Sequence, residues 1–365
     1  MKKIQIEKEE LYNLLNSTSK FFPRKSTLPI LECYKLDVVP SAVKVTVSSI
    51  DSSIERVAPI MAFDSFTACI SKDILPMVQK LPNGPVELEF NDSYLNITAG
   101  KASFTLATVD EKNYPELPKT EETEGIKMKA SEFGEMLRSV EYAVSENETS
   151  NKSLTAVNFK VEDGKLQLTA LDGSRIALQK KDISSQVKVE LNIPSMSKYL
   201  KSMDEDDELT ISWDKSRIVI RSADTKIVCR LIEGAYPDVN RFLKNDNVCE
   251  VSIAKNEFLE ALERAALVAK SSGNKKPLMM EVVNDVMILQ MEEAKGKFQE
   301  LLDTKKTGSD LKVGFNVSFL IEALNKVTDD TIKLLFSGKK SPMLIKAGDK
   351  ESDNFTHLIL PVNTR

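Results

Sequence analysis

The sequence predicts an α+β fold built from one domain that occurs three times along the chain. Two patterns repeat with the same period of about 120 residues. The first is an amphipathic helix after a short alternating strand, with apolar residues at i, i+3 and i+4, and it occurs in residues 9–15, 131–137 and 256–262. The second is a Tyr-Pro dipeptide, at Tyr114 and Tyr236. Because unrelated patterns seldom share a period by chance, we predict three domains, comprising residues 1–122, 123–246 and 247–365.

Each predicted domain contains a second helix. These helices are predicted at residues 71–80, 194–201 and 316–325. Asp73, Ser195 and Asn316 are suitable N-cap or first-turn residues, because their side-chain oxygens can accept from free backbone N–H groups. Pro76 lies inside the first of these helices and would kink it or confine it to its first turns.

Strands are predicted between the helices. The clearest alternating or apolar runs are residues 86–90, 166–170, 209–213, 218–221 and 311–315. Turn signals separate such runs at residues 91–92, 163–164, 214–215 and 337–338. The polar segments 121–125 and 244–247 are predicted to be linkers. Each domain is therefore expected to hold two helices and strands for two antiparallel sheets.

The composition excludes several classes of enzyme. With 41% hydrophobic and 29% charged residues the chain has the composition of a folded globular protein. Its one histidine, His357, rules out a multi-histidine metal site, and a Ser-His-Asp triad would have to use that residue. Neither a Gly-x-Gly-x-x-Gly turn nor a phosphate-binding loop with Gly-Lys-Ser/Thr is present. We therefore predict no catalytic residues, no metal and no cofactor.

The cysteines and the N-terminus predict a cytoplasmic protein. The four cysteines contain no C-x-x-C pair and are expected to be reduced core residues. The N-terminus carries charges where a signal peptide needs an apolar run, and no apolar stretch approaches the roughly 18 residues of a membrane span. The formal net charge of -5, taken alone, argues weakly against nucleic acid as a partner.

Five motifs, in order along the chain, resemble those of bacterial DNA polymerase III β subunits, the β sliding clamps. Residues 27–31 read Thr-Leu-Pro-Ile-Leu, as in the first domain of that family. The others are Leu-Thr-Ala-Leu-Asp-Gly-Ser-Arg-Ile-Ala at 168–177, Gly-Ala-Tyr-Pro-Asp-Val-Asn-Arg-Phe at 234–242, Val-Gly-Phe-Asn-Val-Ser-Phe-Leu at 313–320 and Leu-Ile-Leu-Pro-Val at 358–362. The resemblance runs the whole length and carries the same domain count.

The resemblance implies a processivity factor that binds without chemistry. Two three-domain chains would close head to tail into a ring, with helices inside, around double-stranded DNA. Twelve helices side by side at about 9 Å would enclose an opening roughly 25 Å wide, in which a duplex can slide. The implied partners are DNA of any sequence, the replicative polymerase, the clamp loader, other proteins with clamp-binding peptides and a second copy of the chain. The net charge then becomes a spatial prediction, with positive residues on the inner helices.

Basic residues on or just after the predicted helices are the candidates for DNA contact. The set is Arg24, Lys25, Lys72, Lys80, Arg138, Lys198, Lys201, Arg264 and Lys326. For each residue taken alone, an ordinary solvated helix surface explains the charge equally well.

By resemblance, an apolar pocket for partner peptides would lie between the middle and last domains. The middle domain would contribute Leu154, Leu171, Gly173, Arg175, Ile176, Pro237, Arg241 and Phe242. The last domain would contribute Asn316, Phe319, Pro342, Met343, Leu358, Leu360, Pro361 and Val362. The alternative is that the aliphatic members are core strand residues. Arginines beside an aspartate and a Tyr-Pro turn are more indicative of a site, because they could hold its shape.

The resemblance also implies a head-to-tail interface between the first domain of one chain and the last domain of another. Phe104 and Leu106 would meet Leu267 and Val268 across paired edge strands. The alternative for these residues is a local core.

Two segments depart from the family pattern, and two alternative functions stay open. Residues 151–156 lack an arginine and a glycine that the family often has there, and residues 363–365 depart from the usual short end, so partner peptides are expected to differ in detail. One alternative function is an enzyme that uses Asp172 beside Arg175. Another is a clamp-like protein of a phage or mobile element with a specialised partner.

Overall fold

The computed structural model describes most of the chain. The described residues are 2–23, 25–62, 64–115, 125–146, 151–201, 203–243, 246–269, 276–293, 296–348 and 354–362. Of the predicted linkers, residues 121–124 and 244–245 lie outside them.

In the first third of the chain, two helices are set among eight strands. They are β1 Lys2–Glu7, α1 Lys8–Ser19, β2 Cys33–Val39, β3 Ala42–Ser48, β4 Ser52–Pro59, β5 Phe66–Ser71, α2 Ile74–Lys80, β6 Pro85–Asn91, β7 Tyr94–Ala99 and β8 Ala102–Val109.

The middle third repeats this order and adds a short helix at its end. The elements are β9 Ile126–Lys129, α3 Ala130–Val140, β10 Val157–Glu162, β11 Lys165–Leu171, β12 Arg175–Asp182, β13 Val189–Ile193, α4 Ser197–Leu200, β14 Glu208–Trp213, β15 Arg217–Arg221, β16 Thr225–Arg230 and α5 Asn240–Leu243.

The last third has the longest helix. Its elements are β17 Cys249–Ala254, α6 Lys255–Ala269, β18 Leu278–Val283, β19 Val286–Glu293, β20 Gly296–Asp303, β21 Lys305–Gly308, β22 Leu311–Phe315, α7 Val317–Leu324, β23 Thr331–Phe336, β24 Met343–Ala347 and β25 Phe355–Ile359. The mixed helix and antiparallel-sheet fold predicted from the repeat is confirmed, and every strand predicted above lies within an observed strand.

The second helices differ from the prediction in their starts. Asn316 caps α7 as expected, since its Oδ1 accepts from the Ser318 backbone N–H at 2.9 Å. Asp73 precedes α2, but its carboxylate accepts from the Ser71 hydroxyl and caps no helical N–H. Ser195 is not a cap either, because Met196 has a non-helical backbone and α4 begins only at Ser197. Pro76 falls in the first turn of α2, where its missing N–H costs no hydrogen bond.

One compact unit consists of residues 1–134 and 196–231. Its strands form a single twelve-stranded sheet in the order β1-β6-β7-β8-β5-β2-β3-β4-β16-β15-β14-β9. The antiparallel pair of β4 with β16, in which Ile54 lies opposite Ile227, joins strands of the first and middle repeats. The sheet is therefore continuous across the boundary between those repeats.

The other compact unit consists of residues 135–195 and 232–365. It holds a nine-stranded sheet in the order β13-β10-β11-β12-β25-β24-β23-β17-β21 and a four-stranded sheet in the order β20-β19-β18-β22. The pair of β12 with β25 joins the middle and last repeats in the same way, with Ile176 opposite Leu358. Strand pairing therefore joins one part of the central repeat to the first repeat and the other part to the last repeat.

The nine-stranded sheet of this second unit is apolar on both faces near β23, β24 and β25. On one face Leu334, Phe336, Ile345 and Ile359 pack with α6 and α7 in the main core of the unit. Their chain neighbours point to the opposite face, because side chains alternate along a strand. That opposite face carries the candidate site.

The cysteines are buried and free, as predicted. None of the described helices is long and apolar enough to span a bilayer. Over the same residues, no three or more His, Cys, Asp or Glu side chains are grouped so that they could hold a metal ion.

Candidate functional site

Ten apolar side chains gather on the face of the nine-stranded sheet opposite α6 and α7, and we call them the apolar cluster. The strand register builds it, since Leu171 lies opposite Ile176, Ile176 opposite Leu358, and Leu358 opposite Leu344. Its buried members are Leu171, Ile176, Leu178, Val239, Leu335, Leu344 and Leu358, with Leu154, Tyr236 and Leu243 packed against them. The structure therefore brings together the predicted residues Leu154, Leu171, Ile176 and Leu358.

Met343 does not belong to the apolar cluster, which corrects one predicted residue. It is fully buried in the main core, where it packs with Phe336 and Ile359. Leu344, one residue later, is the β24 side chain in the apolar cluster. A shift of one residue along a strand exchanges the faces of the sheet, and the sequence motif did not fix which residue faced outward.

Large apolar side chains remain exposed in the segments that follow the apolar cluster along the chain. Phe242 on α5 is 43% exposed, and Leu360 and Val362 after β25 are 39% and 37% exposed. The backbone N–H of Leu360 donates to the Ser174 carbonyl at 2.9 Å, and that of Val362 to the Gly314 carbonyl at 2.8 Å. The C-terminal segment is thus fixed by its backbone, while its apolar side chains face solvent.

Arg175 ties the middle repeat to the last repeat beside this face. Its Nε donates to Asp172 at 2.9 Å, its Nη2 donates to the Tyr142 carbonyl at 2.9 Å, and its Nη1 donates to Glu322 on α7. The guanidinium also lies 4.4 Å from the centre of the Phe319 ring. Burial acts to lower the pKa of Arg175, but hydrogen bonds and charges from Glu322 and Asp172 raise it overall. Arg175 therefore holds Phe319 and the start of β12 in fixed positions.

Asp172 organises the turn that precedes Arg175. One carboxylate oxygen accepts from the backbone N–H groups of Ser174 and Arg175, at 2.9 and 3.2 Å, and the other accepts from the guanidinium. Gly173 has φ of +91°, a conformation that other residues rarely adopt. This is the geometry of a structural ion pair in a tight turn. It favours a structural role for Asp172 over the alternative of a catalytic carboxylate.

The remaining predicted residues of the site are placed at or near the ends of elements. Asn316 is the α7 cap, and Pro237, Pro342 and Pro361 are half-buried. Arg241 is exposed, with its guanidinium 4.6 Å from the Phe242 ring centre. These residues supply backbone shape and, at Arg241, a polar edge.

The prediction missed Leu178, Tyr236, Val239, Leu243, Leu335 and Leu344, all in the apolar cluster. Tyr236 and Val239 lie in the quoted Tyr-Pro motif, and the Tyr236 hydroxyl donates to the Thr169 carbonyl at 3.2 Å. The period-2 pattern of β12 could have identified Leu178, because it lies two residues after Ile176.

The segment that departs from the family pattern is anchored to the Tyr-Pro linker. Asn151 caps a short 3-10 helix, Lys152–Thr155, by accepting from the Ser153 backbone N–H at 3.1 Å. The buried Ser153 hydroxyl is 3.0 Å from the Ala235 carbonyl, to which it donates. Leu154 is therefore held beside Tyr236 by residues other than those the family pattern supplies.

His357 is buried behind the site, on β25. Its Nδ1 is hydrogen-bonded to the Tyr142 hydroxyl, and its ring lies against Phe355. Burial, with the charges of Arg175 and Lys326, lowers the pKa of His357 to about 3. The folded chain therefore keeps this ring neutral at a pH where the unfolded chain protonates it.

We expect the stability of the second unit to fall as the pH drops from about 6.5 towards 3, because only the unfolded chain takes up the His357 proton in that window. At pH 5 this linkage lowers the unfolding free energy by about 2 kcal/mol relative to pH 7. Thermal unfolding of wild type and His357→Gln at both pH values measures it. An equal loss of melting temperature in both proteins would contradict the assignment.

Basic residues gather where α1 ends in the first unit. Phe21 stacks on Tyr199 with ring centres 3.8 Å apart, and the Lys198 ammonium lies 4.6 Å from the Tyr199 ring centre. Burial and the charge of Lys201 lower the pKa of Lys20, which places two cations near each other. Lys20 was missed, although it lies four residues before the predicted Arg24.

The other candidate cations differ in how far their charge is already balanced. Arg264 makes two hydrogen bonds to Glu300, at 2.9 and 2.6 Å, and Lys72 lies 2.7 Å from Glu32. Lys25 and Lys80 are exposed, whereas Arg138 and Lys326 are half-buried. Arg24 lies outside the described residues.

Two open strand edges, one in each unit, lie at or beside the predicted interface residues. Phe104 and Leu106 are on a strand, but Leu267 and Val268 are on the helix α6 and not on an edge strand. Phe104 and Leu106 are half-buried on β8, whose residues 102–107 pair with β7 alone among the described strands. In the second unit β20 ends its sheet and pairs with β19 alone. Leu267 on α6, which packs against β20, is 70% exposed, and Val268 is half-buried against the core. Each edge therefore has free backbone groups beside apolar side chains.

Comparisons with known proteins agree over the whole chain. Family models of the DNA polymerase III beta subunit match in order, the N-terminal domain at residues 2–118, the central domain at 127–238 and the C-terminal domain at 241–363. A beta sliding clamp of Staphylococcus epidermidis is 29% identical over 380 residues and is covered, like this chain, over 100% of its length. The solved DNA polymerase sliding clamp from Bacillus subtilis is 27% identical, with 100% of both chains covered and a TM-score of 0.93. The solved beta subunit from DNA polymerase of Streptococcus pyogenes is 25% identical, with 99% of this chain and 100% of that chain covered and a TM-score of 0.94.

Proposed function

The chain belongs to the DNA polymerase III β subunit family, and we propose that it acts as a DNA polymerase processivity clamp. The observation that carries this function is the match of all three family domains, in order, across residues 2–118, 127–238 and 241–363. Curated relatives named beta sliding clamp match over their full length. Binding without chemistry is the corresponding mechanism, and the cytoplasm, where a bacterial chromosome lies, is the corresponding location.

Two chains would close head to tail into the ring. The open edge of β8 with Phe104 and Leu106 would meet the open edge of β20 beside Leu267 and Val268. Free backbone groups on each edge can pair in one continuous sheet, and the apolar side chains can be buried together. A heterologous contact that closes after two copies leaves neither of these two edges exposed. Each chain would contribute three domains to the ring, with boundaries at 1–122, 123–246 and 247–365.

Positive residues on the helices would line the opening and contact phosphates. The best-supported ones are Lys20, Lys198 and Lys201, since two of these ammonium groups already lie close enough to affect each other. Lys25 and Lys80 are exposed and available, and Arg24 stays a candidate. Arg264 and Lys72 are weaker candidates, because an acidic side chain already neutralises each of them. Phosphate contacts carry no base preference, which suits sliding.

Charge reversal at Lys198 and Lys201 should weaken duplex binding. We expect Lys198→Glu with Lys201→Glu to lower the affinity for a 30-base-pair duplex by about 10-fold, and to make the salt dependence of log K shallower by roughly 2. Fluorescence anisotropy across a salt series measures both. Lys101→Glu with Lys112→Glu changes the net charge equally at exposed positions outside α1 to α7 and should leave the slope unchanged. Equal effects of the two pairs would contradict a specific lining.

The apolar cluster would take short peptides of the polymerase, the clamp loader and other clamp-binding proteins. Its buried floor, with Phe242, Leu360 and Val362 exposed nearby, offers apolar contact to one or two large side chains. Each such contact contributes roughly 1.5–3 kcal/mol, which suits exchangeable partners. Gly173, Arg175, Pro237, Arg241, Asn316, Phe319, Pro342 and Pro361 would shape the pocket around the apolar cluster.

A further inference from the structure

A polar cavity of about 330 Å³ lies on the same sheet face as the apolar cluster. Strand register places the two side by side. On β11, Leu171 belongs to the apolar cluster, and Thr169 and Gln167, which lie two and four residues before it, line the cavity. Asn158 on β10 lies opposite Thr169, so it points to the same face. The apolar face therefore turns polar from β11 towards β10 and β13.

The two sites also share a wall. Tyr236 and Val239 pack in the apolar cluster and line the cavity as well. The linker that carries them covers the same sheet face, since the Tyr236 hydroxyl donates to the Thr169 carbonyl. A peptide anchored on the apolar cluster that continued past Tyr236 would reach this cavity.

The cavity has a fixed polar floor and an acidic mouth. Asn158 and Thr169 are buried at the floor, and the Asn158 amide donates to Glu190 at 3.1 Å. Glu190 and Asp238 are exposed, and among the described residues no lysine or arginine lies within ion-pair distance of either. Lys160 is the one basic side chain among the described lining residues, and it lies 2.7 Å from Glu162, which Lys188 also contacts. The lining therefore carries two carboxylates and one ammonium group. The charges at the mouth are therefore net negative.

We propose that this cavity binds a positively charged side chain of the partner peptide, next to the apolar anchors. The inference rests on the proposed peptide-binding function. Each step of two residues along β11 is about 7 Å, so the cavity lies roughly 7–14 Å from Leu171. An extended peptide covers that distance in two to four residues, which fixes where the cationic residue falls relative to the anchor seated at Leu171.

Paired peptides test the charge preference. The probes are fluorescein-labelled dodecapeptides with one Leu-Phe anchor pair in a Ser/Ala host, carrying either lysine or norleucine at one scanned position. With the full-length chain at low salt, we expect lysine to bind about 5-fold tighter than norleucine at a position two to four residues from the anchors, and nowhere else. Equal binding of the lysine and norleucine peptides at every position would overturn the proposal.

Two conservative substitutions locate the effect. Glu190→Gln with Asp238→Asn should abolish the lysine preference and leave norleucine binding unchanged, because Gln can still accept from Asn158 and Asn still caps the backbone at Asn240. Asp163→Asn with Asp182→Asn removes the same number of charges from exposed acids outside the cavity lining, and this matched control should keep the preference. A preference that survives the double substitution would overturn the proposal. Failure of both peptides to bind wild type would instead overturn the proposed pocket, and this inference with it.

Discussion

Substitution of Leu267 by Glu together with Leu106 by Ala should convert the dimer into folded monomers. Wild type should show twice the 40.8 kDa chain mass by light scattering, and the double variant the mass of one chain. Leu267 is 70% exposed in the single chain, so a charge there leaves the fold intact. In the dimer the same charge would be buried without a partner, and the ring contains that interface twice. We expect the dissociation constant to rise by at least about 100-fold.

Ile50→Glu is the control for this variant. Ile50 is 80% exposed between β3 and β4 and lies on neither open edge, so its substitution should leave the dimer mass unchanged. A Leu267→Glu, Leu106→Ala double variant that stays dimeric at nanomolar concentration would show that these edges do not form the interface.

Leu171→Ala with Leu360→Ala should abolish stimulation of the cognate replicative polymerase. Leu171 forms part of the floor of the apolar cluster, and the Leu360 side chain is 39% exposed beyond β25. Loss of two apolar contacts should weaken a polymerase-derived peptide by at least about 100-fold. Peptide anisotropy and primer-extension length measure the two effects.

The same double variant should keep the mass of the wild-type dimer, since neither residue lies on an open strand edge. Val57→Ala, a partly exposed apolar residue on β4 in the other unit, is the matched control and should retain stimulation. Full stimulation by the Leu171→Ala, Leu360→Ala variant would show that the polymerase binds elsewhere.

The repeat, the strands and much of the apolar cluster could be predicted from the sequence. Helix periodicity and strand alternation are local, and they identified α1, α3 and α6 and the strand β11 that carries Leu171. Ile176 and Leu358 were identified through the motifs of the family resemblance, since no strand was predicted at either residue. Cap chemistry was predictable at Asn316, where a side-chain oxygen precedes a free N–H. At Ser195 it was misleading, because the backbone of Met196 postpones the start of α4.

Local patterns could not predict which strands pair, or which face of a sheet each side chain occupies. The periodicity of β4 and β16, or of β12 and β25, does not say that they pair across repeat boundaries. The choice between Met343 and Leu344 depends on register, and one residue exchanges the faces. The network of Arg175 with Tyr142 and Glu322 joins residues far apart in sequence, so its partners emerge only from the fold.

The central claim is that two chains encircle DNA, and a topological assay tests it most directly. The wild-type chain is assembled on nicked circular duplex, with a clamp loader if needed, and separated from free protein by gel filtration in high salt. Half of the sample is then cut once with a restriction enzyme. We expect the protein to stay with the circle and to leave the linear DNA, because a ring without tight contacts is held by topology alone. Equal retention on circular and linear DNA would contradict encirclement.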